Sequence, residues 1–94
     1  MATTNSSVIR AIAFREGEAW VAQCIDHDIS SQGKTFPDAM RRLTAAVNAE
    51  CEYTLEKHGE EFAGIDPAPE KFEQMFIDAE QSLQADNMEW RIAA

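Results

Sequence analysis

The sequence predicts an α+β domain: a β-β-β-α core, in which an antiparallel sheet is covered by one long helix, followed by a second helix and a C-terminal strand. Three observations carry this prediction. Two short apolar segments flank a Glu16-Gly17 pair, a capped stretch with three- and four-residue apolar steps follows, and the last residues alternate apolar with polar. With 94 residues, 45% of them hydrophobic, there is material for one domain and one core. The domain runs over 1–94, with its core at 8–58, a linker at 59–69 and the last helix and strand at 70–93.

The first seven residues are polar and read as a frayed arm. Val8 to Arg15 reads as a strand, Glu16-Gly17 as a tight turn, and Glu18 to Ile25 as the second strand. Glycine at such a turn accepts the positive φ that two-residue hairpin loops require. Both strands are apolar on both sides. Val8, Ile12 and Phe14 line one face of the first and Ile9, Ala11 and Ala13 the other; in the second, Val21 and Ile25 oppose Trp20, Ala22 and Cys24. A sheet wetted on one side alternates apolar with polar, so both faces need a cover. A second copy of the chain, packed sheet against sheet, is the expected cover for the face the long helix leaves free.

Asp26-His27-Asp28 forms a polar corner, and Ile29 to Gln32 a short third strand. Gly33 makes the bend into the long helix. Thr35 is its expected N-cap, with Pro37 in the first turn and Asp38 completing a capping box. Phe36, Ala39, Met40, Leu43, Ala46, Val47, Cys51 and Leu55 mark its buried stripe, and Lys57, His58 and Gly59 its end. Pro67 and Pro69 keep the linker irregular. A second helix is expected from about Glu70 to Gln84, with Phe72, Met75, Phe76, Ala79 and Leu83 inward. Asp86-Asn87 is a turn, and Met88 to Ala93 a fourth strand with Met88, Trp90 and Ile92 inward and Glu89 and Arg91 outward.

Charge is uneven. Residues 1–49 hold five acids and five bases, whereas 50–94 hold twelve acids and three bases, which is the whole net charge of −9. Phosphate binding needs concentrated Lys and Arg, and no such stripe exists, so direct nucleic-acid binding is not expected. An acidic half aids solubility and steers basic protein partners. No apolar run approaches the about 20 residues of a membrane span. No basic start leads into an apolar stretch, so no signal peptide is expected and the location expected is cytoplasmic. Cys24 and Cys51 lack the spacing of a metal motif and read as two reduced thiols. No cofactor is expected.

The segment Ala19-Trp20-Val21-Ala22-Gln23-Cys24-Ile25, then Ser31-Gln32-Gly33-Lys34-Thr35-Phe36-Pro37-Asp38-Ala39, resembles the HicB-like antitoxin family across about residues 8 to 55. Its strongest piece is Gln32-Gly33-Lys34-Thr35 in register with the Gly17 hairpin and Asp38. The resemblance implies a truncated ribonuclease H-like fold without catalytic carboxylates. It also implies a protein that binds and occludes a small basic messenger-RNA-cleaving toxin. In place of the family's Pro-Gly-Cys-like turn stand Asp26-His27-Asp28-Ile29. Residues 60–94 show neither a helix-turn-helix nor a ribbon-helix-helix segment, so repression of an operon is not expected.

The function expected is therefore a self-associating protein-binding module rather than an enzyme, with Trp20, His27, Asp28 and Trp90 as contact residues. Two other readings stay open. One is a metal-assisted hydrolase using Asp26, His27 and Asp28, since carboxylates and an imidazole bind divalent ions. On an extended segment, however, Asp26 and Asp28 share a face while His27 points away. Asp also serves turns by bonding its local backbone. The other is a purely structural homo-oligomer. Arg41 and Arg42 read as solvated, His58 as a helix cap, and Phe72, Met75 and Phe76 as core.

Overall fold

The computed structural model describes residues 8–85 and 87–93. The polar arm at 1–7 and the Asp86 part of the last turn lie outside them. Seven elements follow in order: β1 (Ile9–Glu16), β2 (Ala19–Cys24), β3 (Ser30–Gly33), α1 (Phe36–His58), α2 (Glu70–Asp78), β4 (Gln81–Ala85) and β5 (Met88–Ile92). The fold is α+β, as the hydrophobic patterning predicts. The strands form one sheet in the order β3-β2-β1-β5-β4. It is mixed, because β5 returns parallel to β1 while every other neighbouring pair is antiparallel.

The hairpin closes one residue later than the sequence suggests. Glu16 pairs with Ala19, so Gly17 and Glu18 are the loop. Gly17 takes φ 65, and Glu18 is not among the non-glycine residues with positive φ, which is the pattern of a type II′ turn. This turn sets the β1–β2 register. Ala11, Ala13, Ala22 and Cys24 therefore face α1, and Ile12 faces the opposite side.

α1 begins and ends where its signals place it. The Thr35 hydroxyl accepts the Asp38 N–H at 3.2 Å, and Gly59, at φ 76, donates to the Leu55 carbonyl at 2.8 Å. The Asp38 carboxylate pairs with Arg41 and Arg42 on the next turn, which ties down one end of each otherwise exposed arginine. Gly33 serves close approach rather than a positive φ. A Cβ there would stand 2.6 Å from the Ala39 nitrogen and 3.0 Å from its Cα, so α1 packs directly on the β3 backbone. Ala39, Leu43 and Val47 carry the helix onto a core that includes Trp90, Met88, Ala11, Ala22 and Cys24. Leu55 departs from the expected stripe. It is 48% exposed, because α1, about 34 Å long, outruns the sheet it covers.

α2 is shorter than expected. It stops at Asp78, Ala79 turns extended, and the next residues form β4 instead of another helical turn. Its Phe76 is buried with Ile12 and Ile25, with Phe72, Met75 and Phe14 around them. The Phe72 and Phe14 rings stack at 6.0 Å. α2 thus covers Ile12 and Ile25 on the second oily face with residues of the chain itself. Arg91, expected outward, lies under α2. Its guanidinium sits 4.6 Å from the Phe76 ring and donates at 3.3 Å to the carbonyls of Phe76 and Ala79, which the end of α2 leaves unpaired.

Candidate functional site

The corner at 25–29 joins β2 to β3 at one end of the sheet, and the segment 59–69 lies across it. Three main-chain bonds fasten the two together and shape the corner: Asp28 N–H to the Asp66 carbonyl at 2.7 Å, Ala68 N–H to the Ile25 carbonyl at 3.0 Å, and Cys24 N–H to the Ile29 carbonyl at 2.9 Å. Gln23, 5% exposed, fills the turn with its side-chain amide. It donates to the Cys24 carbonyl and to the Asp28 carboxylate, both at 3.0 Å.

The strap is latched at its other side by α1. The buried Thr54 hydroxyl donates to the Glu50 carbonyl at 2.8 Å and accepts the Phe62 N–H at 2.7 Å. Phe62 holds φ 61, a left-handed conformation that costs a bulky residue about 1–3 kcal/mol and persists only where its surroundings impose it. Its ring stacks on His27 at 3.9 Å and 17°. Burial pushes the His27 imidazole below its ordinary range, against the opposing pull of Asp26.

Asp26, His27 and Asp28 therefore look in three directions. Asp26 receives a two-point contact from Arg10 (Nε 3.1 Å, Nη2 2.7 Å), which holds its carboxyl below the usual carboxylate range. Arg10 also reaches Glu73 at 3.6 Å and lies 5.4 Å from the Phe76 ring, so the pair ties the corner to α2. His27 is taken by Phe62 and Asp28 by Gln23. No group of three His, Cys, Asp or Glu side chains able to hold a metal ion occurs among the described residues. The hydrolase reading has no convergent ligand set here. Each of the three side chains is held by a different neighbour: Arg10, Phe62 and Gln23.

The two cysteines are free. Cys24 is wholly buried and burial pushes its thiol up; Cys51 is raised as well, by burial and then by the neighbouring Glu61. Both shifts favour the unreactive thiol form.

Of the four expected contact residues, Trp90 is corrected. It is 0% exposed, packed edge-on to Phe36 at 6.0 Å, and reaches no surface. Its indole N–H is also the one buried side-chain group without a hydrogen-bond partner among the described residues. Trp20 is half-buried, against Phe36 at 5.6 Å and beneath the Arg15 guanidinium at 5.9 Å. His27 is half-buried under Phe62, and Asp28 remains at the surface. These residues do not form one patch.

A different patch stands out, at the overhanging end of α1. Beyond Val47 the helix buries only Thr54 fully, and Tyr53 and Leu55 stand 55% and 48% exposed. On the same stretch Glu50, Glu52 and Glu56 of α1 and Glu60, Glu61 and Asp66 of the strap are all exposed; Glu50 and Glu56 stand three residues either side of Tyr53, on its face of the helix, while Leu55, two residues on, points another way. None of the six appears in an ion pair among the described residues. Lys57 is the only lysine or arginine on this stretch. Sequence reading missed the patch because Leu55 fits the buried period; Tyr53 set among three glutamates was the available signal. Comparison with family models, curated proteins and solved structures found no match to this chain. No helix among the described residues is long and apolar enough to cross a membrane.

Proposed function

We propose that the chain is a HicB-like protein-binding module of the cytoplasm that occludes a small basic protein, in the manner of an antitoxin holding an RNA-cleaving toxin. The observation that carries the reading is the overhang of α1. On this stretch Tyr53 is exposed with Glu50 and Glu56 three residues to either side of it, and four further exposed carboxylates, Glu52, Glu60, Glu61 and Asp66, follow along the helix end and the strap that braces it. Carboxylates at that density raise the association rate of a cationic partner. An aromatic side chain at the centre of such a patch supplies apolar contact at small entropic cost, and tyrosine is enriched at interface cores. The mechanism is occlusion: bound at this end, the module covers the partner's cationic surface, and no bond is made or broken.

The HicB-like part of the proposal is supported by the residues 8–55. The hairpin, short strand and capped helix lie in the order the resemblance implies, with Gly17, Gln32, Gly33, Thr35 and Asp38 in architectural roles. The test is co-expression with any small basic reading frame that neighbours the gene, followed by titration calorimetry of the purified pair. The expected result is a stoichiometric complex that Tyr53→Ala combined with Glu52→Lys and Glu56→Lys weakens at least a hundredfold. Absence of such a neighbour, or a complex indifferent to the triple substitution, would remove the antitoxin reading.

A further inference from the structure

We infer that two copies of this chain join through the free edge of β4, continuing the sheet across a twofold axis at Leu83. The sheet has two outer strands. β3 is four residues long and ends at Gly33, where α1 presses on its backbone, so little of it is open. β4 is different. Gln81-Ser82-Leu83-Gln84-Ala85 holds no charge, no proline and no bulge-forming glycine, the usual devices that keep an outer strand from pairing, and its first four residues are exposed. Leu83, on the same side of the sheet as α1, is 40% exposed.

The hydrogen-bonding direction of β4 follows from its neighbour. The Asn87 carbonyl accepts from Ile9 of β1, and Ala93 N–H donates to Ala13 of β1. Odd residues of β5 therefore point their main-chain groups at β1, and Met88, Trp90 and Ile92 point theirs at β4. Their partners Ala85, Leu83 and Gln81 are satisfied inward. The N–H and C=O groups of Ser82 and Gln84 face outward, paired with no strand among the described residues.

That spacing fits a second copy. In an antiparallel pair centred on Leu83, Ser82 meets Gln84 of the other copy in two hydrogen-bonded pairs, giving four main-chain bonds. Leu83 meets Leu83 as the close, non-hydrogen-bonded pair, with Cα atoms about 4.5 Å apart. A register shifted by one residue would put outward-facing groups against inward-facing ones. Charge opposes the approach of a second copy, and it does so least along this strand. The chain carries −9, and β4 is an uncharged stretch on which a copy can approach. Acids flank it in the sequence, Glu80 before and Asp86 after, so the pairing is short and salt strengthens it by screening. A strand from a basic partner would show the opposite salt dependence. The inference does not rest on the partner-binding reading.

Sedimentation of the full chain, from 5 to 200 µM in low and in 0.5 M salt, tests it. The expected result is a monomer–dimer equilibrium, tighter at high salt, whose dissociation constant rises at least tenfold in Ser82→Pro. Proline there removes an outward N–H and no bond within the sheet. A second arm does not depend on that variant folding. In a Cys51→Ser background, Leu83→Cys should form a disulfide dimer under mild oxidation, since the expected Cα separation lies in the disulfide range. Gln81→Cys, four residues out of register with its own copy, should not. A wild-type monomer throughout, a dimer unaffected by Ser82→Pro, or equal cross-linking at 81 and 83 would overturn the inference.

Discussion

Replacing Thr54 by valine probes the latch that gives the strap its position. The substitution keeps the volume and removes one hydroxyl. That hydroxyl accepts the Phe62 N–H at 2.7 Å in a place Thr54 shares with no water-facing surface, being 3% exposed. A buried main-chain donor left without a partner costs about 1–3 kcal/mol. Phe62 then has no reason to keep φ 61, and relaxing it returns part of that sum. The net loss expected is about 1–2 kcal/mol. With a urea slope of about 1–3 kcal/mol per M for a small domain, the midpoint falls by roughly 0.3–2 M. The local signature is sharper: the Phe62 amide loses its protection from exchange, and the His27 ring protons lose the ring-current shift of the stacked phenyl. Thr54→Ser, which keeps the hydroxyl and loses one methyl, should retain both signatures. Urea midpoints within 0.2 M of wild type for the valine variant, with Phe62 still protected, would refute the reasoning.

Other perturbations have equally definite outcomes. Gly33→Ala places a methyl against the Ala39 backbone, which cannot swing aside as a side chain can, and should cost about 1–3 kcal/mol in a thermal melt; an unchanged melting temperature would contradict the close packing. Phe76→Ala opens the cover over Ile12 and should cost about 3–5 kcal/mol, with new binding of a hydrophobic dye to the bared face. Acid should weaken the fold in two windows, because both groups have folded values below their unfolded ones and so hold fewer protons when folded. The contribution of neutral His27 is full above about pH 6.5 and declines on acidification below it. That of Asp26 is present above about pH 4 and is lost as pH falls through its lowered value; its exposure limits it to less than about 1 kcal/mol. Denaturant titrations from pH 7.5 to 3 should therefore show stability falling with pH, and His27→Gln should flatten the upper window.

The parts legible in the sequence are those written in local chemistry. A glycine at the turn, a threonine three residues before an N–H it caps, and a glycine after the last basic turn each act within a few residues. The strand β4 was hidden because Gln, Leu and Ala are helix formers and its stability comes from pairing with β5. The parallel placement of β5 beside β1 depends on the path of the chain through α1, the strap and α2, and no residue of Met88–Ile92 encodes a direction. The two oily faces were visible, but which element covers the second was not. Phe72 and Phe76 read as core in the sequence, and the structure places that core on the side opposite α1. The acidic overhang escaped for a related reason: a helix stripe shows which side is apolar, and says nothing of where the sheet beneath it ends.

The proposed occlusion is tested most directly by titrating the chain into an RNA-cleavage reaction driven by a small basic protein, where the gene's neighbourhood encodes one. The account predicts that cleavage falls to zero at the stoichiometric point, and that the chain carrying Tyr53→Ala, Glu52→Lys and Glu56→Lys leaves it running. Cleavage that proceeds unchanged in an excess of the folded wild-type chain would contradict the account.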